Sequence, residues 1–274
     1  IKEENSSSPG TTPLQVASHI NQFADHALKL VNDILTSGDD ELFKTIEDIK
    51  AMAYLGKYYA HKISAATNLG LYRSKSDPEL HRLMIRELNT SALYWRYYAS
   101  TALARYKNPL WTNRVGYVNW RNLYVYALQD ITDQHGEVKI SPMATTPGGT
   151  ILEAESAMLQ NAKTQSEVEG FTGTGYLTPT NRTNKISWKY NAPGPGKYIL
   201  EFRYIVKPAV EKFPSKTSVL IQEIPSAKIT FWQSGTSENW VWDKVEVNLA
   251  KGEQNISLAL PAEVLLDHMN VYRR

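Results

Sequence analysis

The sequence predicts an α + β multidomain chain: an N-terminal antiparallel four-helix bundle, then a C-terminal antiparallel β-sandwich of jelly-roll type. Three observations predict it. Up to about residue 133, apolar residues recur every three to four positions, the spacing of one helix face. After about residue 150 they alternate every second position, the spacing of a half-buried strand. Between the two regimes lies the turn-rich run Thr145-Thr146-Pro147-Gly148-Gly149. The boundaries read as a flexible leader at 1–11 (with Ser6-Ser7-Ser8-Pro9-Gly10), a bundle at 12–133, a linker at 134–149 and a sandwich at 150–274.

Helix one opens at Thr12-Pro13, where Thr12 and Gln15 have capping-box spacing and proline suits the first helical position. Its seam is Val16, Ile20, Phe23, Ala27, Leu30 and Ile34, and Ser37-Gly38 ends it. Helix two follows Asp39-Asp40 with Leu42, Ile46, Ile49, Ala53, Gly56, Ala60 and Ile63. Helix three opens at Asp77-Pro78-Glu79, runs through Met84, Leu88, Ser91, Trp95, Tyr98 and Ala102, and stops at Asn108-Pro109. A shorter helix from Asn119 buries Trp120, Leu123, Ala127 and Ile131. Seams of this period and fairly short loops predict antiparallel packing, with Ala53, Gly56 and Ala60 admitting a close approach of helices two and three. Strands follow at Ile186-Trp188-Tyr190, Tyr198-Leu200-Phe202-Tyr204, Val245-Val247-Leu249 and Ile256-Leu258-Leu260. Turns intervene at Pro193-Gly194-Pro195-Gly196 and Lys251-Gly252, as in an antiparallel sandwich or barrel.

At 274 residues the chain has room for one large domain or two ordinary ones, and 42% hydrophobic with 21% charged residues is an ordinary globular composition. A net charge of +2, spread along the chain, gives no nucleic-acid footprint. The absence of cysteine excludes disulfides, thiol catalysis and zinc–thiolate sites. No apolar run has the length of a membrane span. The start at Ile1-Lys2-Glu3-Glu4, without methionine or signal pattern, reads as a processed protein or a fragment of a longer one.

The six histidines, His19, His26, His61, His81, His135 and His268, show no metal-site spacing and adjoin no nucleophile elbow. His61 reads as a surface or interface residue. The bundle acids Glu41, Glu47, Asp48, Glu79 and Glu87 fall mostly off the seams and read as a solvated face rather than as a catalytic pair. The chain itself is therefore expected to carry no activity of its own.

Four blocks in order carry a family likeness. They are Leu152-Glu153-Ala154-Glu155 followed by Gly170-Phe171-Thr172-Gly173-Thr174-Gly175-Tyr176; Gly196-Lys197-Tyr198-Ile199-Leu200 with Arg203-Tyr204; Trp242 to Val245, Val247 and Leu249 with Gly252, Asn255 and Ile256; and Leu266-Asp267-His268-Met269-Asn270-Val271. Across about 125 residues the C-terminal half resembles carbohydrate-binding modules of families 35 and 6. The resemblance implies a sandwich that holds a polysaccharide or oligosaccharide in loops at one end, with Tyr176 and Trp240 at the positions of its ring-stacking aromatics. Phe171 is a further candidate, and Asn181 and Arg182 would bond sugar hydroxyls. Core packing is the competing reading of Trp240, and the better one of Trp242.

Glu153 and Glu155, two apart on a predicted strand, would project from one face. Two carboxylates there call for a cation or a basic group, and Ca2+ takes such oxygens. The resemblance implies a structural calcium at Glu153 and Glu155 with Asp267 as a further ligand. Unpaired acids on a solvated face are the alternative. The chain departs from the family where Leu265 replaces the asparagine that bonds the sugar, where Gln222-Glu223 replaces Asn-Gly, and in a long loop from Lys207 to Lys216.

The resemblance implies a non-catalytic carbohydrate-binding region, the C-terminal part of a larger polysaccharide-degrading enzyme, a glycoside hydrolase or polysaccharide lyase. Its partners would be a glycan and an upstream catalytic domain of the same polypeptide, in a secreted, periplasmic or cell-surface setting, with the bundle as spacer or docking element. The stretch Tyr106 to Arg114 resembles helical appendages of polysaccharide-processing enzymes. Tyr58-Tyr59 and Tyr97-Tyr98, with Tyr94 and Trp95, read as a second glycan platform or as an interface. Two alternatives remain: a complete hydrolase or lyase with a site between the domains, and a structural or adhesive module that has lost its sugar site. Burial of Tyr176 and Trp240 would favour the last.

Overall fold

The computed structural model describes residues 10–34, 39–206 and 215–274. Most of the expected leader and of the long loop after Lys207 lies outside the described residues. The chain divides into two compact units. The first carries most of helices α1 (Pro13–Asn32), α2 (Asp40–Lys75), α3 (Pro78–Leu103) and α4 (Trp120–Thr132), with a hairpin, β1 (Leu110–Thr112) and β2 (Gly116–Val118), between α3 and α4. The second is built on Pro142–Arg274.

The capping box at Thr12 and Gln15 forms as expected, with Thr12 N donating to Gln15 Oε1 at 2.8 Å and Gln15 N to Thr12 Oγ1 at 3.3 Å. The α1 seam is a correction. Ala17, Ala24 and Val31 are buried, while Val16, Phe23 and Leu30 face solvent. Gly56 explains it: a Cβ there would stand 3.6 Å from Ile20 Cγ2 and 3.8 Å from Ala24 Cβ. Gly56 of α2 thus receives α1 rather than α3, and this close approach turns the larger α1 side chains outward. The acids are corrected too. Glu47 is buried and pairs with Lys50 at 3.1 Å, and Glu87 meets His61 Nδ1 at 2.7 Å while the His61 ring stacks on Tyr94.

The expected linker is tied down along its length. Asn89 donates to Glu137 O at 3.1 Å and accepts from Lys139 N at 2.5 Å, within the helical unit. Within the sheet unit, Met143 N donates to Trp240 O at 2.7 Å and Thr146 N to Glu201 Oε1 at 2.9 Å.

The sheet unit is a two-layer sandwich of antiparallel sheets. One has the order β10-β9-β12-β7-β4, from β4 (Met158–Gln160), β7 (Lys185–Ala192), β9 (Ser215–Ile221), β10 (Ile224–Phe231) and β12 (Gly252–Leu258). The other is β11-β8-β13-β6-β5, from β5 (Ala162–Gln165), β6 (Tyr176–Pro179), β8 (Gly196–Val206), β11 (Val241–Leu249) and β13 (Val264–Arg273). A further strand, β3 (Thr150–Glu153), pairs with β13. The alternating aromatics meet between the layers: Trp188 with Phe202 (6.5 Å), Tyr190 with Tyr198 (6.0 Å) and Tyr204 with Phe231 (4.7 Å) between ring centroids. The other face of β8 is buried as well, because the segment from Pro142 to Thr146 lies over it and bonds Glu201 and Arg203.

Gln222 and Glu223 form the two-residue turn between β9 and β10, at φ 50° and 66°. Such turns favour Asn-Gly, because each central residue is left-handed. Gln222 Nε2 bonds Glu253 O at 3.2 Å, and Glu223 reaches Lys185 and Asn255 at 2.5 and 3.0 Å, so side chains offset the backbone cost. The substitution Gln222→Asn relieves left-handed strain while keeping a turn amide. It should raise unfolding stability by about 0.5 kcal/mol in urea titration, with an unchanged denaturant slope.

Candidate functional site

The site begins with an irregularity in β13. Leu266 pairs with Tyr204 and His268 with Arg203, so Asp267 is an extra residue in the ladder. On a regular strand Asp267 and His268 would point to opposite faces; the bulge brings both to Arg203. Asp267, His268 and Arg203 are all buried. Arg203 Nη1 donates to Asp267 Oδ2 and, at 3.0 Å, to Gly170 O, while Nε donates to Met143 O at 3.1 Å. Asp267 Oδ1 accepts from Thr172 N at 2.8 Å. His268 Nδ1 lies 2.9 Å from Asp267 Oδ2 and 2.7 Å from Thr172 Oγ1, and its Nε2 lies 2.7 Å from Thr145 Oγ1.

The two glutamates arrive differently from expectation. Glu153 ends β3, directly opposite His268, but Glu155 lies on a 3-10 turn at Ala154–Ser156 rather than on the strand. The loop from Gly170 to Gly175 reunites them. Thr172 Oγ1 donates to Glu153 Oε2 at 2.8 Å, and Thr174 N donates to Glu155 Oε1 at 2.6 Å. Gly173, at φ 65°, sits between the carboxylates: a Cβ there would lie 2.1 Å from Glu155 Oε1 and 3.0 Å from Glu153 Cδ. Burial, with the charges of Glu155 and Asp267, pushes the Glu153 carboxyl above the usual range, against the opposing Thr172 hydrogen bond and His268.

These residues fit a divalent cation at Glu153 and Glu155 better than at Asp267. Glu153, Asp267 and His268 each offer a donor atom, all within 4.8 Å of one another. Asp267, however, is already matched by a guanidinium and a backbone N–H, and both His268 nitrogens stand at hydroxyls. Glu155 Oε2, by contrast, is buried with no hydrogen-bond partner among the described residues. Three carboxylates against one guanidinium leave two negative charges before His268 is counted, and an oxygen-rich donor set suits Ca2+.

The expected stacking aromatics are not a platform. Tyr176 and Trp240 are 2% and 0% exposed, and form a cluster with Ile205 and Leu265 under Val168 and Phe171. Their ring centroids are 5.4 Å apart, Trp240 Nε1 donates to Glu169 O at 2.8 Å, and the Phe171 ring lies 6.0 Å from Tyr176. Leu265 is the physical reason. Where a sugar-bonding asparagine would need water or ligand, a leucine seals the rings beneath their own loop. Asn181 and Arg182 are exposed but follow the far end of β6, roughly 16 Å along the chain from Tyr176, so the set does not converge. Asn181 Oδ1 instead caps its own turn through Thr183 N at 2.8 Å.

A different concavity adjoins the carboxylates. Ile151, Leu152, Glu153, Ser156, Met158, Ser187, Trp188 and Lys189 line a cavity of about 390 Å³. Trp188 Nε1 is tied to Glu153 O at 3.1 Å, which fixes the indole against the carboxylate strand. Ile151, Met158 and Lys189 remain exposed around it. In the sequence Trp188 reads only as an alternating core residue, and the edge strand carrying Met158 has no regular period.

The C-terminal half resembles family 35 carbohydrate-binding modules. One such module from Clostridium thermocellum is 23% identical, covers 46% of this chain and 99% of its own, and has a TM-score of 0.41. A Paenibacillus cycloisomaltooligosaccharide glucanotransferase, solved with cycloisomaltoheptaose, is 20% identical over 53% of this chain and 22% of its own, with a TM-score of 0.41. In sequence, a cycloisomaltooligosaccharide glucanotransferase of Niallia circulans is 44% identical over 57 residues, which are 20% of this chain. The chain spans 6% of that relative's length. No protein-family profile matches the chain. No helix among the described residues is long and apolar enough to cross a membrane.

Arg203 and His268 are the site residues that sequence reasoning missed. Both stand in the sequence only within family blocks, and His268, like the other histidines, shows no metal-site spacing and adjoins no nucleophile elbow. The Asp267→Ala substitution leaves the Arg203 guanidinium buried without its carboxylate. It should destabilise the sheet unit by about 3 kcal/mol or more, seen as a lower urea midpoint.

Proposed function

We propose that the sheet unit is a calcium-braced glycan-binding module that holds its ligand over the cavity beside Glu153, and not at Tyr176 and Trp240. The cavity carries the reading: about 390 Å³ of mostly apolar wall, with Trp188 in its lining and Ser156, Ser187 and Lys189 as polar groups. Pyranose rings present flat C–H faces edged by hydroxyls, and such a mixture of apolar wall and a few polar groups is what they require. Calcium would be held by Glu153 and Glu155, whose orphaned Oε2 it would satisfy, with Asp267 and Arg203 bracing the loop from behind. The metal's role would be structural, locking the loop at Gly173 against the end of β3.

The local identity to a cycloisomaltooligosaccharide glucanotransferase makes α-glucan oligosaccharides the first ligands to try. It is also in keeping with a place for this chain in a larger polysaccharide-active enzyme, where the helical unit would serve as spacer or docking element beside a catalytic domain; the setting we propose with it is secreted, periplasmic or cell-surface. One observation favours a second reading, a module that has lost sugar binding: Trp240 is completely buried where the resemblance puts a stacking ring.

Affinity electrophoresis through dextran, with calcium present, separates the two. The parent chain should be retarded, and Met158→Ala combined with Lys189→Ala should weaken binding about tenfold, since each removes wall or hydrogen-bonding contact at an exposed rim. No retardation on dextran, laminarin, mannan or xylan would establish the second reading. In parallel, chelation by EDTA should lower the thermal midpoint of the chain, and Glu155→Gln should abolish that response.

A further inference from the structure

The hairpin between α3 and α4 displays an aromatic pair that the sandwich site does not use. Trp111 and Tyr117 are directly opposite in the β1–β2 register and are 58% and 73% exposed. Opposite residues of an antiparallel pair share a face with Cβ atoms roughly 5 Å apart, so the two side chains leave the ribbon from neighbouring points on one face. Leu110, Thr112, Gly116 and Val118, on the other face or at the ends, are half-buried. The aromatic face is thus the outward one, and it costs apolar exposure in the free chain.

The hairpin is built to hold that face still. At its root Asn108 Nδ2 donates to Asn119 Oδ1 at 3.1 Å, and Trp120 N donates to Asn108 Oδ1 at 3.1 Å. Asn119 Oδ1 also caps α4 through Asn122 N at 3.2 Å. At the tip Val115 N donates to Thr112 Oγ1, which in turn donates to Gly116 O, both at 3.3 Å, and Gly116 takes φ 71°. Beneath the root, Trp120 is 3% exposed, stacked near Tyr106 at 6.3 Å and bonded through its carbonyl to Trp95 Nε1 at 3.1 Å. A rigid mount reduces the ordering cost of binding.

Two rings of this size offer at most a few hundred Å². That is well below the roughly 800 Å² per partner of a stable protein interface, but it is the scale of one or two sugar rings. Among the hairpin residues the charge is a single exposed cation, Arg114, which is too little for a nucleic-acid track or for an anionic lipid surface. Arg114 and Asn113, both exposed at the tip of the same hairpin, supply hydrogen-bonding groups within a few residues of the rings in the chain.

We infer that the Trp111–Tyr117 face is a second carbohydrate platform, on the helical unit, which stacks one or two pyranose residues of a neutral glycan chain. It is separate from the cavity of the sheet unit and extends the glycan-binding reading to the other half of the chain.

The test uses the full chain in gels containing dextran, laminarin, mannan or xylan, with polygalacturonate as an acidic control. The double variant Trp111→Ala, Tyr117→Ala should bind at least about tenfold more weakly to the retained neutral polysaccharide, while Trp111→Phe keeps most of the affinity. Both side chains are exposed, so the thermal midpoint should not move. Should the double variant fail to fold, acrylamide quenching of the parent chain gives the second measurement: saturating polysaccharide should shield a tryptophan that Trp111→Phe removes. Loss on the hairpin with normal binding by Met158→Ala, Lys189→Ala sustains the platform and overturns the cavity. The converse overturns the platform and leaves the cavity standing. The platform is also overturned if the parent chain is retained by none of the neutral polysaccharides, or if the hairpin substitutions change sedimentation and not retardation.

Discussion

One extra residue in the last strand organises the sheet unit. Because Asp267 is inserted opposite Arg203, two neighbouring polar side chains turn to the same face, and a buried charge appears there. A buried carboxylate without a partner is expensive, so the surroundings are constrained to supply one. Arg203 does so, and its remaining N–H groups fasten Gly170 of one loop and Met143 of the segment laid over the sheet. Thr172, next in that loop, bonds both Asp267 and Glu153. Loop, strand end and overlying segment are therefore positioned by one ion pair. Glu155 is the part of this system that the protein's own groups leave incomplete.

The same geometry explains why the expected sugar grip is closed. The loop that Arg203 holds through Gly170 also carries Val168 and Phe171, which cover Trp240 and Tyr176. A polar residue at position 265 would have kept that cluster wet, whereas leucine lets it collapse. Glycan binding at this end would require the loop to lift and expose several rings at once. At about 25 cal/mol per Å² of apolar surface, that opposes a weak ligand. The open concavity at β3, β4 and β7 makes no such demand.

What the sequence revealed depended on whether a residue acts through period or through exception. The change of period located the helical and sheet halves, and Trp188, Phe202 and Leu258 are core because alternation put them there. The acid pair Glu153 and Glu155 was legible as a convergence of charge, although the strand expected to align them is interrupted by a 3-10 turn. The α1 face was misread because hydrophobicity outranked size: Ala17 and Ala24 pack against Gly56 while Phe23 stays outside. The bulge at Asp267 was not legible at all, since its cause is the partner Arg203, 64 residues away along the chain.

The hairpin shows the opposite failure, a feature too short for any period to reveal. Strands of three residues carry no repeat, so Trp111 and Tyr117 looked unrelated until their register was known. Exposure alone would not single them out, because isolated exposed apolar residues are common. Pairing separates them from Phe23 or Met52. They are opposite one another, on a ribbon whose root and tip are fixed by side-chain hydrogen bonds, and the ribbon's other face is half-buried. Holding two aromatic rings rigid and wet raises the free energy of the unliganded chain. A planar apolar ligand with polar edges would recover that cost, which the collapsed Tyr176–Trp240 cluster, already packed against itself, has no means of doing.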